Sequence, residues 1–414
     1  MKKKIVITGI GVVTPIGIGN VAFTKALKEG KSGVSVIESF DTSAYTTKFA
    51  AVIKDFDPEQ FIDKKNIRRM ARFTQLGFAA TRIAIEDSAL DISKEDLSRI
   101  GVVTGTGIGG LDIIEKEEKI LLAKGPRRVS PFLIPMIITN ILPGEIAINY
   151  GFKGPNYAVT SACASSNHAI GDAFGLLQNG YADVVISGGA ESAIVPLGLA
   201  GFCSIKALSQ RNDEHQKASR PFDKNRDGFV IGEGAGILVL ETLEHALNRD
   251  AKIYAEFAGY GASNDAYHIT APDPEGKAAA FAMEEAIINA GISKDEIDYI
   301  NAHGTSTILN DKTETSVIKK VFGKRAYKIP ISSTKSMTGH LLGSAAAVEL
   351  AATLIMMQEG FIHPTINYET PDPDCDLDYV PNIVRTKQII NCALSNSLGF
   401  GGHNAIVVIK KYVK

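Results

Sequence analysis

Short apolar runs alternate along the chain with longer stretches in which apolar residues recur every three or four positions. Ile5–Val13, Ile100–Thr104, Val184–Ser187 and Ile237–Leu240 read as buried strands, while Thr74–Leu90 and Ala169–Leu177 carry helical spacing. Strands alternating with helices predict an α/β architecture. No Pro/Ser-rich linker interrupts the alternation, and after Asp250 the run I-Y-A-E-F-A-G-Y-G opens a second set of elements. Two intimately packed halves, 1–250 and 251–414, are therefore expected.

The halves repeat one another. Ala84–Thr106 runs through a helix, the triplet Ile92-Ser93-Lys94, an acidic turn, a strand and a G-T turn; Ala286–Thr305 follows the same order around Ile292-Ser293-Lys294. A second, weaker pair matches the strand Tyr157–Ser161 and its following helix to the strand Ile329–Ser333 and the helix Ala345–Met357. Two copies of one α/β unit predict strand-end turns from both halves pointing at a shared crevice. Cys163, His303 and His340 all stand at such turns.

Composition narrows the class. With 414 residues, 45% of them hydrophobic, the chain supports a globular protein with two core-bearing units. A net charge of −2 argues against nucleic-acid binding. Cys163, Cys203, Cys375 and Cys392 lie far apart with no C-x-x-C pair, which fits a reducing cytosol and neither a disulfide framework nor a zinc knuckle. The basic, apolar N-terminus superficially resembles a signal peptide, but Gly9, Gly11 and Pro15 break the run, so it reads as a first strand. Val129–Gly144 is a long uncharged stretch, yet Pro131, Pro135 and Pro143 exclude a membrane span. A cytoplasmic protein is expected.

The chemistry centres on Tyr157–Asp172. Tyr157, Val159 and Ser161 alternate as in a strand; after Cys163 come only small residues, then a helical pattern. A thiol at the start of a helix feels the positive end of its dipole, which predicts a lowered pKa and a nucleophilic thiolate, with free backbone N–H groups beside it as an oxyanion site. His303 opens H-G-T-S-T after a strand, and His340 lies in a glycine-rich turn before a helix. His215, His245 and His363 read as surface or satisfied core residues. One cysteine and two histidines suit acyl chemistry on a thioester: the thiolate takes the acyl group and imidazole N–H groups stabilise carbonyl charge.

Six blocks in order resemble those of the β-ketoacyl-acyl carrier protein synthases, over nearly the whole chain: I-T-G-I-G-V-V-T-P-I-G, T-S-A-C-A-S-S, R-P-F-D-K-N-R-D-G-F-V-I-G-E-G-A-G, N-A-H-G-T-S-T, S-T-K-S-M-T-G-H-L-L-G-S-A-A-A-V-E and S-N-S-L-G-F-G-G-H-N. The resemblance, strongest to the synthase II type, implies a thiolase-like duplicated α/β fold layered α-β-α-β-α and an obligate homodimer, for which the apolar Pro131–Asn149 gives weak support. It implies that Cys163 takes an acyl chain from acyl carrier protein. Malonyl carrier protein then loses carbon dioxide, and the enolate attacks the acyl-cysteine to give a 3-ketoacyl product two carbons longer. His303 and His340 would donate to the malonyl thioester oxygen, and the N–H groups of Cys163 and Phe400 would form the oxyanion hole. Lys335 would tune the histidines and pair with Glu349, which stands in a helix too apolar to be exposed. Thr305 and Thr307 would hold the phosphopantetheine arm, which arrives on the carrier, so no resident cofactor is implied. Phe400 would gate the site, and Ile108 and Phe202 would line the acyl pocket. Asn301, Glu349, Ser395 and Asn396 match a monovalent-cation site of relatives. The acidic carrier would dock on Lys65, Arg68, Arg69, Arg127, Arg128 and Lys206. Ser166, Leu398 and His403 replace the glycine, phenylalanine and threonine common in the family, and none of the three removes a catalytic group.

Two motifs are rejected. Gly105-x-Gly107-x-x-Gly110 lacks the acidic ribose partner about twenty positions on. Asp223-x-Asn225-x-Asp227-Gly228 opens like a calcium loop, but Gly234 stands where the bidentate glutamate belongs. Rival functions also leave marks. A thiolase would carry a second cysteine in its C-terminal glycine-rich turn, where this chain has Phe400; a synthase III-like starter enzyme would have an asparagine in place of His340. A chain-length-factor-like subunit would lack Cys163, and a modular polyketide ketosynthase would be flanked by further domains.

Overall fold

The computed structural model of the chain describes residues 3–413. Met1, Lys2 and Lys414, at the outer ends of the two expected halves, lie outside the described residues. The apolar runs become the strands of one 11-stranded sheet, ten on a single path and the two-residue Gly17–Ile18 hanging from the first. In chain order the ten are β1 (Ile5–Thr14), β2 (Ile100–Gly105), β3 (Asn156–Val159), β4 (Val184–Glu191), β5 (Gly234–Thr242), β6 (Ala255–Asn264), β7 (Tyr299–Asn301), β8 (Ile331–Ser332), β9 (Cys392–Gly399) and β10 (His403–Lys410). The helices around them include α1 (Arg72–Ser88), α2 (Ser165–Gln178), α3 (Lys277–Asn289), α4 (Ile308–Phe322) and α5 (Ala345–Glu359).

The strand order is β8-β7-β9-β10-β6-β1-β5-β4-β2-β3. Reading outward from the central pair, β1-β5-β4-β2-β3 mirrors β6-β10-β9-β7-β8, and each step has the same sense in both arms, antiparallel twice and then parallel twice. The duplication expected from the I-S-K segments is thus the plan of the sheet. The arms join only where β1 meets β6, with Ile5 opposite Phe257 and Ile7 opposite Ala255. The first I-S-K segment, Ile92–Lys94, is a 3-10 turn capped by Asp91, and in the second copy the 3-10 turn falls two positions later, at Lys294–Glu296, capped by Ser293; they precede the parallel strands β2 and β7.

Helix α1 covers the outer face of one arm and α3 the outer face of the other, while α2 and α5 lie between the arms and against each other. This is the α-β-α-β-α layering. Every residue of α5 from Ala345 to Met357 is buried, which explains a helix without a polar face: it belongs to the central layer. The same close approach recurs on both outer faces. A Cβ at Gly11 of β1 would stand 2.0 Å from the Ala80 carbonyl of α1, and one at Gly261 of β6 would stand 2.0 Å from the Ala282 carbonyl of α3. Glycine at these places lets a helix backbone lie directly on a strand.

Gly11→Ala and Gly261→Ala should therefore each destabilise the protein by about 2–3 kcal/mol, the usual cost of overpacking against backbone. Urea unfolding would show it as a lowered midpoint of similar size in both variants; wild-type midpoints would mean the helix–strand spacing is not set by these glycines.

Candidate active site

The turns that carry the candidate residues all follow strand C-terminal ends: Cys163 after β3, His303 after β7, His340 after β8 and Phe400 after β9. Because β3 mirrors β8 and β2 mirrors β7, Cys163 and His340 occupy matching places in the two copies. These turns border one cavity of about 450 Å³, lined also by Ile108, Phe202, Lys206, Thr305 and Thr307.

Cys163 sits in a tight turn. Ala162 takes the left-handed conformation at φ 51°, and the Ala164 N–H donates to the Ser161 carbonyl at 3.1 Å. Helix α2 starts at Ser165, so the small residues after Cys163 are its first turn and not a linker before it. Gly399 lies against the nucleophile turn: a Cβ there would stand 2.9 Å from the Ser161 oxygen and 3.3 Å from the Cys163 nitrogen. Only glycine brings the following Phe400 N–H to the sulfur. One expectation is corrected. Burial pushes the Cys163 thiol up to about 11, against the pull of the Lys335 charge and of the Phe400 and Cys163 N–H groups. The resting group is the neutral thiol, because removal from water outweighs the local helix terminus.

The two histidine rings meet edge to face, 5.4 Å between centroids and 87° apart. Burial, and then the Lys335 charge, holds both well below the usual imidazole range, so both are neutral near pH 7. Lys335 Nζ lies 3.3 Å from His303 Nδ1 and is ion-paired with Glu349. An ammonium can only donate, so the His303 proton resides on Nε2. The backbone of His340 is held by the first half: its N–H donates to the Val230 carbonyl at 2.7 Å and its carbonyl accepts the Gly232 N–H at 2.9 Å. The Thr305 and Thr307 hydroxyls are 2.9 Å apart on the cavity wall.

Two carboxylates escaped the sequence reading. Glu314 of α4 is buried and accepts the N–H groups of His303 and Gly304, each at 2.8 Å, and the Asn396 side-chain amide at 2.9 Å. Its one available signal is a charge on the face of α4 shared with Val317, Ile318 and Val321. Glu191, at the end of β4, accepts the Gly107 N–H at 2.6 Å, the Ile108 N–H at 3.3 Å, the Thr106 hydroxyl at 3.0 Å and the Gly343 N–H at 3.1 Å. The donors of the G-x-G-x-x-G turn that would cradle a pyrophosphate are thus engaged by a side chain of the protein.

Asn301 Oδ1, Glu349 Oε2, Ser395 Oγ and Asn396 Oδ1 are buried without a hydrogen-bond partner among the described residues, and Asn301 and Ser395 stand in register on β7 and β9. An orphaned buried acceptor costs about 1–3 kcal/mol. Four oxygens, one from a carboxylate, fit a hard monovalent cation. Of the basic residues, Lys206 lies at the cavity mouth. Lys65, Arg68, Arg69, Arg127 and Arg128 are exposed on neighbouring turns, with the Arg69 guanidinium 4.5 Å over the Phe132 ring. His363 is a satisfied core residue, its Nε2 2.8 Å from the Thr334 hydroxyl, and His245 bridges Glu241 and Glu95.

Known proteins share this arrangement. The family profile described as beta-ketoacyl synthase, N-terminal domain, matches residues 2–246, and that of the C-terminal domain matches 254–369. The chain is 53% identical over 411 residues to 3-oxoacyl-[acyl-carrier-protein] synthase 2 of Synechocystis sp., covering 99% of each. A beta-ketoacyl synthase from Burkholderia phymatum superposes with a TM-score of 0.92 at 34% identity, over 99% of this chain and 100% of that one. A type II polyketide ketosynthase solved in complex with its acyl-carrier protein gives 0.91 at 36% identity, over the whole of both chains. Fold, motif order and full-length similarity agree, and the chain belongs to the β-ketoacyl synthase family of condensing acyltransferases.

Proposed function

We propose that the protein condenses acyl carrier protein thioesters with malonyl carrier protein, giving 3-oxoacyl carrier protein and carbon dioxide in fatty acid chain elongation. The observation that carries this reading is the convergence of a buried thiol and two neutral imidazoles on one cavity. In the first half-reaction Cys163 displaces the carrier thiol, whose sulfur takes the proton as the acyl–cysteine bond forms; the Cys163 and Phe400 N–H groups hold the oxyanion. In the second, His303 through Nε2 and His340 donate to the malonyl thioester oxygen while the carboxylate leaves as carbon dioxide. Each such donor contributes about 3 kcal/mol of transition-state stabilisation. Lys335 fixes the His303 tautomer, and Glu349 pairs with Lys335. Thr305 and Thr307 hold the arm of the carrier, Phe400 gates the cavity, and Ile108 and Phe202 bound the acyl chain. No resident cofactor is needed. A chain-length-factor role is disfavoured by the presence of the nucleophile with both histidines.

Three further readings accompany it. Asn301, Glu349, Ser395 and Asn396 hold a monovalent cation, which when bound supplies positive charge beside Glu349. The exposed Lys65, Arg68, Arg69, Arg127 and Arg128, with Lys206, dock an acidic carrier; the relative solved with its carrier protein supports this. The protein is a homodimer, because β3 leaves a free strand edge at the end of the sheet and Ile134 and Ile148 beside it are 61% and 78% exposed. A cytoplasmic location fits the unpaired cysteines, and no described helix is long and apolar enough to cross a membrane.

Intact mass after mixing with a medium-chain acyl carrier protein should show one acyl adduct, mapping to Cys163 and discharged to a 3-ketoacyl product by malonyl carrier protein. Because the thiol titrates near 11, adduct formation should accelerate with pH across the neutral range. An adduct from acyl coenzyme A alone would point to thiolase chemistry, and a rate flat with pH would mean a thiolate at rest.

Reversing Arg68 and Arg128 to Glu should raise the Michaelis constant for acyl carrier protein at least tenfold, the size expected when like charges meet at a docking face, and leave Cys163 alkylation by iodoacetamide at its wild-type rate. An unaltered Michaelis constant would remove these residues from the docking face.

Sedimentation should give a dimer, and replacing potassium by choline should lower the unfolding temperature by about 1 °C, as expected for a chain of this length when roughly 1 kcal/mol of bound-ion stabilisation is lost. A stable, active monomer sinks the first reading, and an unmoved midpoint the second.

A further inference from the structure

The calcium-like segment Asp223–Gly228 does not converge on an ion. Asp223 accepts the Arg220 Nε at 3.0 Å and the backbone N–H groups of Asn225, Glu369 and Thr370 at 2.6–2.7 Å, and Asp227 accepts the Gln210 N–H at 3.1 Å. The segment instead wraps the turn that follows β7. The Arg220 N–H donates to the Ser306 hydroxyl at 3.0 Å, and the Gly228 N–H to the Ser306 carbonyl at 3.1 Å. The Arg226 guanidinium, its side chain 2% exposed, donates to the Thr307 carbonyl at 3.1 Å and the Ile308 carbonyl at 3.0 Å. Its remaining nitrogen donates to the Asp223 carbonyl at 2.8 Å and to Asp372 at 2.5 Å.

This wrapped turn carries Thr305 and Thr307, and between them Ser306 sits at φ +70°. A non-glycine residue in that region persists only where its surroundings over-determine it. Here the determinants come from the other half of the chain. Arg226 also stands beside the first turn of α4, where a positive charge is disfavoured by the helix dipole, and Asp311 at 3.6 Å and Asp372 offset it. Buried ion clusters of this kind add little net stability over an apolar replacement, but a planar five-donor fork fixes carbonyl positions as no apolar group can.

We infer that Arg226 is a positioning residue for substrate: with the Ser306 contacts it locks the turn so that the Thr305 and Thr307 hydroxyls stand side by side to grip the pantetheine arm. The inference rests on the reading of those threonines as the arm's ligands. It assigns the R-P-F-D-K-N-R-D-G stretch a role across the seam, in substrate binding and not in metal binding.

The test compares acylation of Cys163 by hexanoyl-pantetheine, which has the arm and no carrier protein, with acylation by S-ethyl hexanethioate, which has neither. Wild-type protein should favour the pantetheine thioester. Thr305→Val and Thr307→Val should each cut the ratio of the two rates about tenfold, the effect of one lost hydrogen bond in a buried site, and Arg226→Lys should cut it equally. If the threonine variants lose the ratio and Arg226→Lys keeps it, or slows both thioesters alike, the positioning role is overturned while the arm reading stands. If the threonine variants keep the ratio, the arm reading itself fails. Should Arg226→Lys not accumulate as folded protein, Ser306→Ala, which removes only the acceptor of the Arg220 N–H, carries the same expectation and the same refutation.

Discussion

The Lys335 side chain is 1% exposed and has a single anionic neighbour, Glu349, 2% exposed. Taking two charges out of water costs several kcal/mol for each ion, and a buried lysine without a partner would shed its proton. Glu349 is its ion-pair partner, and much follows from an ammonium at this place. It adds to the burial that holds His303 and His340 neutral, it places the His303 proton on the nitrogen away from itself, and it pulls against the desolvation of Cys163. The pair is a poor way to stabilise a fold and an effective way to bear on three titrating groups at once.

Such a pair needs a setting in which the nucleophile and both histidines lie within reach of one ammonium, and the duplicated sheet supplies it. One copy contributes Cys163 from β3, and the other contributes His303 and His340 from the mirrored strands β7 and β8. The copies are tied through the central layer. The Ser166 hydroxyl of α2 accepts the Ala347 N–H at the start of α5 at 3.1 Å, a bond that a glycine there could not make. Glu191 bonds Gly107 of one copy and Gly343 of the other, so the turn bearing Ile108 and the turn after His340 share an anchor.

What could be read from the chain depended on how local its cause was. Cys163, His303 and His340 stood out because each lies beside glycine or small residues at the end of an apolar run, and Glu349 because it is the one charge in the buried run Ala345–Met357. The repeat was visible as two I-S-K segments, and the sheet's mirror order is its consequence. Glu191 and Arg226 gave no such signal, and Glu314 gave only a charge on an apolar helix face. Glu191 bonds Gly343 152 positions away, and Arg226 reaches the Thr307 and Ile308 carbonyls 81 and 82 positions away; a single carboxylate or guanidinium in a loop or helix looks like any solvated charge. The thiol pKa was misjudged for the same reason: the helix terminus is written into the local sequence, whereas burial belongs to the whole fold.

Burial moves all three reactive groups toward neutrality: the thiol keeps its proton, and both imidazoles lose their charge. With Lys335 and Glu349 cancelling, these five side chains carry no net charge at rest. In the proposed reaction negative charge appears only on the way to the tetrahedral and enolate species, where donors already in place meet it. Donors aligned in advance in a buried site are worth more than the same groups in solvent. The high thiol pKa is then no defect. A charged nucleophile at rest would draw those donors to itself and stabilise the ground state, whereas a neutral one leaves them for the transition state.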